Sequence, residues 1–497
     1  MTGLAATGGE FAANVLEPEP DTAGTLEKNS VGMMGIVFFV IAAAAPLTVV
    51  VALFPVIMTA GNGIGIAGAF LLVALVLLLF SVGFVAMSRH ITNAGAFYAY
   101  ITKGLGRPLG LGAAALVIFA YNAIQLGLYG GIGFYAEEYV REHLGLRLPW
   151  WAYCFAAMAA SLALGVRRLH AGAMVLGVLL TLETVIIALL DLAILLGSAH
   201  RAQGFSLAPF SVSATFSGSV GVALMFAHAS FIGFEGTAIY SEEAREPRRS
   251  VPRATYISVI FMGLFYAGTA WLLVNGLGID KAVGIARAQG GNLIFFAVDR
   301  AIGGWARQLF QLFVITSMFA AILTFHNNVA RYLFALGRQG VAWRRLGNTH
   351  PVRHSPYVAC WMQTAMVALV VTVFAIAGLD PYATLFTWFT GIGAAGMILV
   401  QSIASIAIFM FFRRSGAERR VWHGFVAPLL GVAGLLTLLW FALTSLDVLL
   451  GVSGPLQWAF LAMLLGSLAA GLLYALWLRA ARPATYARLA TGLETQQ

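Results

Sequence analysis

Apolar runs of about 20 residues, the length a helix needs to cross the hydrocarbon core of a bilayer, recur along nearly the whole chain. Twelve can be counted, at about 31–58, 63–87, 109–138, 149–166, 172–197, 216–240, 254–277, 305–335, 356–378, 383–411, 424–447 and 454–479. Lipid offers the backbone no hydrogen-bond partners, so each span must satisfy its own amides and carbonyls. Runs of this length and continuity predict helices, hence an all-α integral membrane protein of twelve transmembrane helices. Only 10% of the residues are charged, against roughly 25% in soluble domains.

A net charge of +9 raises the question of nucleic acid, and its distribution answers it. Basic residues crowd alternate loops: Arg89, Lys103 and Arg107; Arg167 and Arg168; Arg245, Arg248, Arg249 and Arg253; Arg338, Arg344, Arg345 and Arg353; Arg413, Arg414, Arg419 and Arg420. The loops between them carry fewer. Positively charged loops stay cytoplasmic, which predicts a multi-pass protein of the cytoplasmic membrane with both termini inside. The excess charge is thus topological, and the expected surroundings are a lipid bilayer and no nucleic acid. Residues 1–30 are polar and acidic, without the basic region and short apolar core of a cleaved signal, and read as a disordered cytoplasmic tail. Residues 480–497 form the opposite cytoplasmic tail. Two cysteines, Cys154 and Cys360, fall inside predicted spans. They allow no disulfide framework or thiolate metal cluster.

Two of the spans are interrupted. The first carries four alanines and a proline, Ala42 to Pro46; the sixth carries Ser230-Phe231-Ile232-Gly233-Phe234-Glu235-Gly236. Interrupted spans in corresponding positions of two halves point to a carrier's substrate site near the midplane. The spans group as five, five and two: 31–197, then 216–411, then helices 11 and 12 at 424–479. An odd number of crossings turns the second unit upside-down relative to the first, which predicts a five-plus-five inverted repeat with two extra helices.

The residues at the breaks indicate what they would hold. Pro46 lacks an N–H and is expected to free the carbonyl of Ala42. The half-helix after it would direct its positive end at an anion such as a carboxylate. Gly233 and Gly236 permit non-helical backbone, and the Phe231 and Ile232 carbonyls would face an ammonium group. Amide donors on one side and carbonyl acceptors on the other suit a zwitterionic amino acid. The competing reading, a proline kink in an intact helix, accounts for the first break and not for the second.

Three stretches carry a family resemblance. Residues 231–235 with 241–253 (Ser-Glu-Glu-Ala-Arg-Glu-Pro-Arg-Arg-Ser-Val-Pro-Arg) resemble the sixth helix and following loop of amino acid permeases of the amino acid–polyamine–organocation (APC) superfamily. Residues 88–100, ending at Gly104-Leu105-Gly106, resemble its loop between helices two and three. Arg331-Tyr332 through Gly340 resembles the end of its eighth helix. The resemblance implies a LeuT-like fold with broken helices 1 and 6, and a secondary active transporter working by alternating access. Carried onto this chain, it implies substrate contacts at Ala43, Ala44, Ala45, Ala229, Ser230, Phe231 and Gly233. Relatives often have glycine or serine where this first break has alanines.

Ionisable residues within spans are functional candidates by default. Glu235 lies at the second break, and Glu183 on the fifth span falls where relatives commonly show a glutamate; both are expected to couple transport to protons. Tyr121 and Gln125 share a face of the third span at four-residue spacing and are expected to wall the substrate. Trp388 on the tenth is the expected aromatic gate. Thr316, Ser317 and Thr324 offer hydroxyls to a sodium ion, while His228 and His326 are ordinary hydrogen-bonded residues before they are proton carriers. No HExxH, GxSxG or GxxxxGK[ST] sequence is present, so the expectation is a carrier with no cofactor, no metal and no enzymatic activity. The function predicted is secondary active transport of amino acids across the cytoplasmic membrane by alternating access, as proton-coupled import. The alternatives are a polyamine or organic amine permease, an exchanger, or a non-transporting membrane sensor of permease ancestry.

Overall fold

The computed structural model describes residue 29 and residues 31–91, 96–167, 169–197, 204–416, 418, 420–445 and 454–489. The acidic tail apart from Asn29, positions 92–95 of the loop motif, Arg168, Arg201, Arg419 and residues 490–497 lie outside that set.

Helices follow the apolar runs in order. Segments 1 to 5 are Met33–Ala60, Gly63–Ser88, Arg107–Leu144, Trp150–Gly165 and Leu169–Leu196. Segment 6 is Val220–Ala229, continued after a break by Gly236–Ile239. Segments 7 to 12 are Pro247–Leu277, Gly304–Arg338, Tyr357–Ile376, Pro381–Ser415, Trp422–Thr444 and Pro455–Ala481. Ten of these are long and apolar enough to cross a bilayer; segment 4 and the first part of segment 6 are shorter, at 16 and 10 residues. Proline marks several beginnings, because its missing N–H costs nothing in a first helical turn: Pro108, Pro247, Pro381 and Pro455 open segments 3, 7, 10 and 12. The Asp380 carboxylate caps segment 10, accepting the amides of Tyr382 at 2.9 Å and Ala383 at 2.6 Å.

Burial separates the centre from the rim. The apolar window of segment 1 is 94% buried and that of segment 12 only 22%, so segment 1 is interior and segment 12 faces lipid. Segment 3 packs along segments 8, 10 and 12. Small residues allow the approach: a Cβ on Gly130 would lie 2.5 Å from the Pro381 carbonyl oxygen. Segment 9 turns Trp361, Leu369 and Ile376 outward, as a lipid-facing helix should.

Segments 1 and 6 are fastened to each other at both ends. On one side Ser219 N–H donates to the Gly61 carbonyl at 3.0 Å, and the Asn62 amide to Thr215 at 3.0 Å. On the other, Val31 N–H donates to the Glu243 carbonyl at 3.1 Å and Arg245 N–H to the Val31 carbonyl at 2.8 Å. Phe39 stacks on Tyr240 between these ends, with centroids 4.7 Å apart.

Candidate functional site

Segment 1 breaks at one residue. Ala45 adopts left-handed backbone, φ 48° and ψ 71°, a conformation that costs an alanine about 1–3 kcal/mol. Its own N–H still reaches back to Ile41 and Ala42, both at 3.2 Å. The Ala42 carbonyl is therefore engaged, contrary to the sequence expectation. Among the described residues no other backbone amide is seen to take the carbonyls of Ala43 and Ala44, because the amides four residues on turn elsewhere. Leu47 N–H donates to Glu183 Oε2 at 3.4 Å, and Thr48 N–H to Ser317 Oγ at 3.1 Å. Ser317 in turn donates to Glu183 Oε2 at 2.7 Å. The next turn, Val49–Leu53, is a wide π-helical one.

Segment 6 unwinds over six residues, 230–235, into consecutive turns. Gly233 has φ 116°, open to glycine and rarely to any other residue. A Cβ on it would lie 2.4 Å from the Ala43 Cβ, so the two breaks are in direct contact. Its N–H donates to the fully buried Glu235 carboxylate at 3.1 and 3.2 Å. Tyr121 donates its hydroxyl to the same carboxylate at 2.7 Å. The Phe231 carbonyl, expected to face a substrate, is taken by Phe234 N–H at 3.3 Å. Those of Ser230 and Ile232 receive no backbone amide among the described residues.

Between the breaks lies a cavity of about 50 Å³. Ala43, Ala44, Ala45, Thr48 and Val49 line it from segment 1, Ala229 and Ile232 from segment 6. Ile124, Leu128, Phe325, Phe386 and Thr390 complete it. Four of the expected contacts, the three alanines and Ala229, therefore face it. Gly233 abuts Ala43 and is not itself among the lining residues. Ser230 bonds its hydroxyl to the Phe226 carbonyl at 2.9 Å, and the Phe231 ring packs with Phe70 and Tyr266. Gln125 turns to the Ile322 carbonyl at 3.4 Å and to Gln363, which also binds Asn122. Trp388 stands against Phe374 and Phe460, on the side of segments 9 and 12.

The chain matches the family model described as amino acid permease over residues 31–466. It belongs to the amino acid permease family. Among relatives, the low-affinity putrescine importer PlaP of Escherichia coli is 24% identical over 396 residues, covering 78% of this chain and 82% of that protein. The branched-chain amino acid permease BcaP of Bacillus subtilis is 23% identical over 209 residues, 42% of this chain and 41% of that one. Human cationic amino acid transporter 4 is 27% identical over 195 residues, 37% and 28% of the two chains. Membership makes the chain a membrane carrier rather than an enzyme, as the absence of catalytic motifs predicts.

The permease is shut tightly toward the end where segment 1 begins. Arg331 of segment 8 makes a bidentate pair with Glu243, at 2.7 and 3.0 Å, and both side chains are 4% exposed. The guanidinium also lies 5.0 Å over the Tyr240 ring, and Tyr240 donates to Asn328 at 2.9 Å. A second bidentate pair, Arg338–Glu242, sits closer to the surface at 2.8 and 3.1 Å. The loop motif 241–253 thus supplies the partners that hold segment 8 to segment 6. Sequence reasoning did not find Phe325, Phe386 and the pair Ile124 and Leu128. The four-residue spacing of the last two was visible, on a face next to the polar one.

Proposed function

We propose that this permease is a secondary active transporter that carries an amino acid or a related amine by alternating access. The observation that carries the reading is the contact of the two breaks, Gly233 on Ala43, beside a small cavity walled by segments 1, 3, 6, 8 and 10. Broken helices are tolerated in a membrane where they line a substrate path. A cavity of about 50 Å³ is far below the roughly 300 Å³ of ordinary ligand pockets. Loading therefore requires the walls to part, which is the motion alternating access needs. The names of the relatives, putrescine importer and amino acid permeases, support the substrate class.

Proton-coupled import is the finer reading. Glu235 is a buried carboxylate at the break itself, held by one phenol and one amide, so a change in its protonation would alter bonds that shape the site. Glu183 joins segments 1, 5 and 8 in the same way. In this reading residues 31–197 and 216–411 are the inverted halves, and the chain lies in the cytoplasmic membrane with both termini inside. The test is uptake of labelled amino acids and amines into proteoliposomes, with and without an inward proton gradient. Accumulation that collapses with a protonophore, and that Glu235→Gln uncouples, is the expected result. Gradient-independent equilibration overturns the coupling; no uptake of any compound overturns transport.

A further inference from the structure

Two residues that line the cavity carry a hydroxyl, Thr48 on segment 1 and Thr390 on segment 10. The first is joined to a buried carboxyl. Thr48 donates its hydroxyl to Ser317 Oγ at 3.1 Å, and Ser317 donates to Glu183 Oε2 at 2.7 Å. The Thr48 N–H donates to the same Ser317 oxygen, also at 3.1 Å. Ser317 differs in this from Thr316 and Thr324, which return their hydroxyls to carbonyls of their own helix. A hydroxyl has one hydrogen to give and two lone pairs to receive with. Ser317 uses all three: its hydrogen on Glu183, its lone pairs on the Thr48 amide and the Thr48 hydroxyl. A carboxylate only accepts, so the row runs in one direction while Glu183 is ionised. The Thr48 hydrogen is then held on Ser317, and Thr48 can offer the cavity only an acceptor. All three side chains are buried, which keeps bulk water from replacing a member of the row.

We infer that Ser317 relays the charge state of Glu183 to Thr48, so that protonation of Glu183 turns the Thr48 hydroxyl from an acceptor into a donor toward the cavity. The inference rests on the transport reading and gives its proton coupling a point of action. A proton arriving on Oε2 makes Glu183 a donor. Ser317 then receives it, still receives the Thr48 amide, and has to turn its own hydrogen to Thr48 Oγ1. The Thr48 hydrogen is released to the cavity. Hydrogens turn and no heavy atom need move; the proton gained stays on Glu183. A substrate group that accepts hydrogen bonds is held better after this change, and by linkage it favours the proton in return. Both ligands then load together, which is the sign that proton-coupled import requires. Segments 1, 4, 7 and 8 and the helix Leu293–Ala301 pack on segment 5. The titratable side chain they bring against Glu183 is Tyr266 of segment 7, and among the described residues no cation pairs with it. On segment 5 itself, Asp191 is engaged by Thr269 at 2.7 Å. Glu183 and Ser317 do not line the cavity and are positioning residues; Thr48 is the contact.

The test is calorimetric binding to the purified full-length protein at about pH 5.5 and about pH 8.5. The probes are the common amino acids and putrescine, and the amino acid that binds most tightly is carried forward. Its affinity is expected to be roughly tenfold higher at the lower pH. Ser317→Ala should remove most of that ratio and Ser317→Thr should restore it. Glu235, the other buried carboxyl at the breaks, keeps its own share in all three proteins and cancels from the comparison. Thr48→Val, of nearly the same shape, should lose affinity at the lower pH and little at the higher one. A hydroxyl that only touches the substrate is free to turn either way, and its loss would cost the same at both. If Ser317→Ala does not fold, Thr48→Val with Thr48→Ser as the rescue decides alone. An affinity independent of pH, a ratio unchanged in Ser317→Ala, or an equal loss at both pH values in Thr48→Val overturns the relay and leaves transport standing. Binding of putrescine and of no amino acid does the same. Silence of every probe at both pH values overturns the transport reading, and the inference falls with it.

Discussion

Gly233→Ala tests the contact that holds the two breaks together, and its cost can be worked from the geometry. At φ 116° an alanine sits in backbone space that costs about 1–3 kcal/mol. Its Cβ would also lie 2.4 Å from the Ala43 Cβ, whereas carbon atoms rest at about 3.5–4.0 Å. Both partners are main-chain-proximal methyl carbons, so no rotamer change relieves the clash; one helix must shift. Overpacking of that kind costs a further 1–3 kcal/mol or so. The sum, roughly 2–6 kcal/mol, is a large fraction of the stability of an ordinary domain. Ala43→Gly separates the two contributions, because it removes the opposing methyl and leaves the backbone strain. The double variant should therefore recover about 1–3 kcal/mol over Gly233→Ala alone. Thermal unfolding of the four proteins in one detergent, with initial uptake rates in liposomes, measures both. A double variant no better than the single would show that Ala43 and Gly233 do not press on one another, and a Gly233→Ala protein of parental stability would refute the whole account.

Arg331→Ala should cost about 3–5 kcal/mol, since it strands Glu243 at 4% exposure, while Arg331→Met with Glu243→Leu regains most of that. Glu242→Gln at the more exposed Arg338 pair should cost under about 1 kcal/mol; thermal unfolding reads all three. Tyr121→Phe removes the hydroxyl bonded to Glu235 at 2.7 Å, a buried bond worth about 0.5–3 kcal/mol. It should depress gradient-driven uptake more than it depresses folding. Trp388→Ala should lower stability by about 1–3 kcal/mol through two lost ring contacts and leave the KM for uptake unchanged. Phe386→Ala, on the cavity wall, should move KM instead, and an unaltered KM there would remove segment 10 from the site.

The parts legible in the sequence are those set by short-range physics. Apolar run length located every segment, missing most where a helix runs on past the apolar stretch, at Leu144 and Pro247; Pro46 and Gly233 marked the breaks because each disfavours regular helix. Which side chain faces the cavity is a different matter, decided by rotation of each helix about its axis. Tyr121, Gln125 and Tyr129 do share a face, yet that face ties segment 3 to its neighbours. Tyr121 reaches Glu235, Gln125 reaches Gln363, and Tyr129 meets Ser161 at 3.2 Å. The apolar Ile124 and Leu128 meet the cavity instead. Trp388, chosen as an aromatic on the tenth span, packs on Phe374 and Phe460 of segments 9 and 12. The amide end of segment 1 was illegible for another reason. Its occupant, Glu183, is 136 residues away from Leu47. No local pattern announces such a partner, although Glu183 itself stood out as an ionisable residue within a span. That pairing takes up a main-chain donor which the local sequence left free, 136 residues from its acceptor.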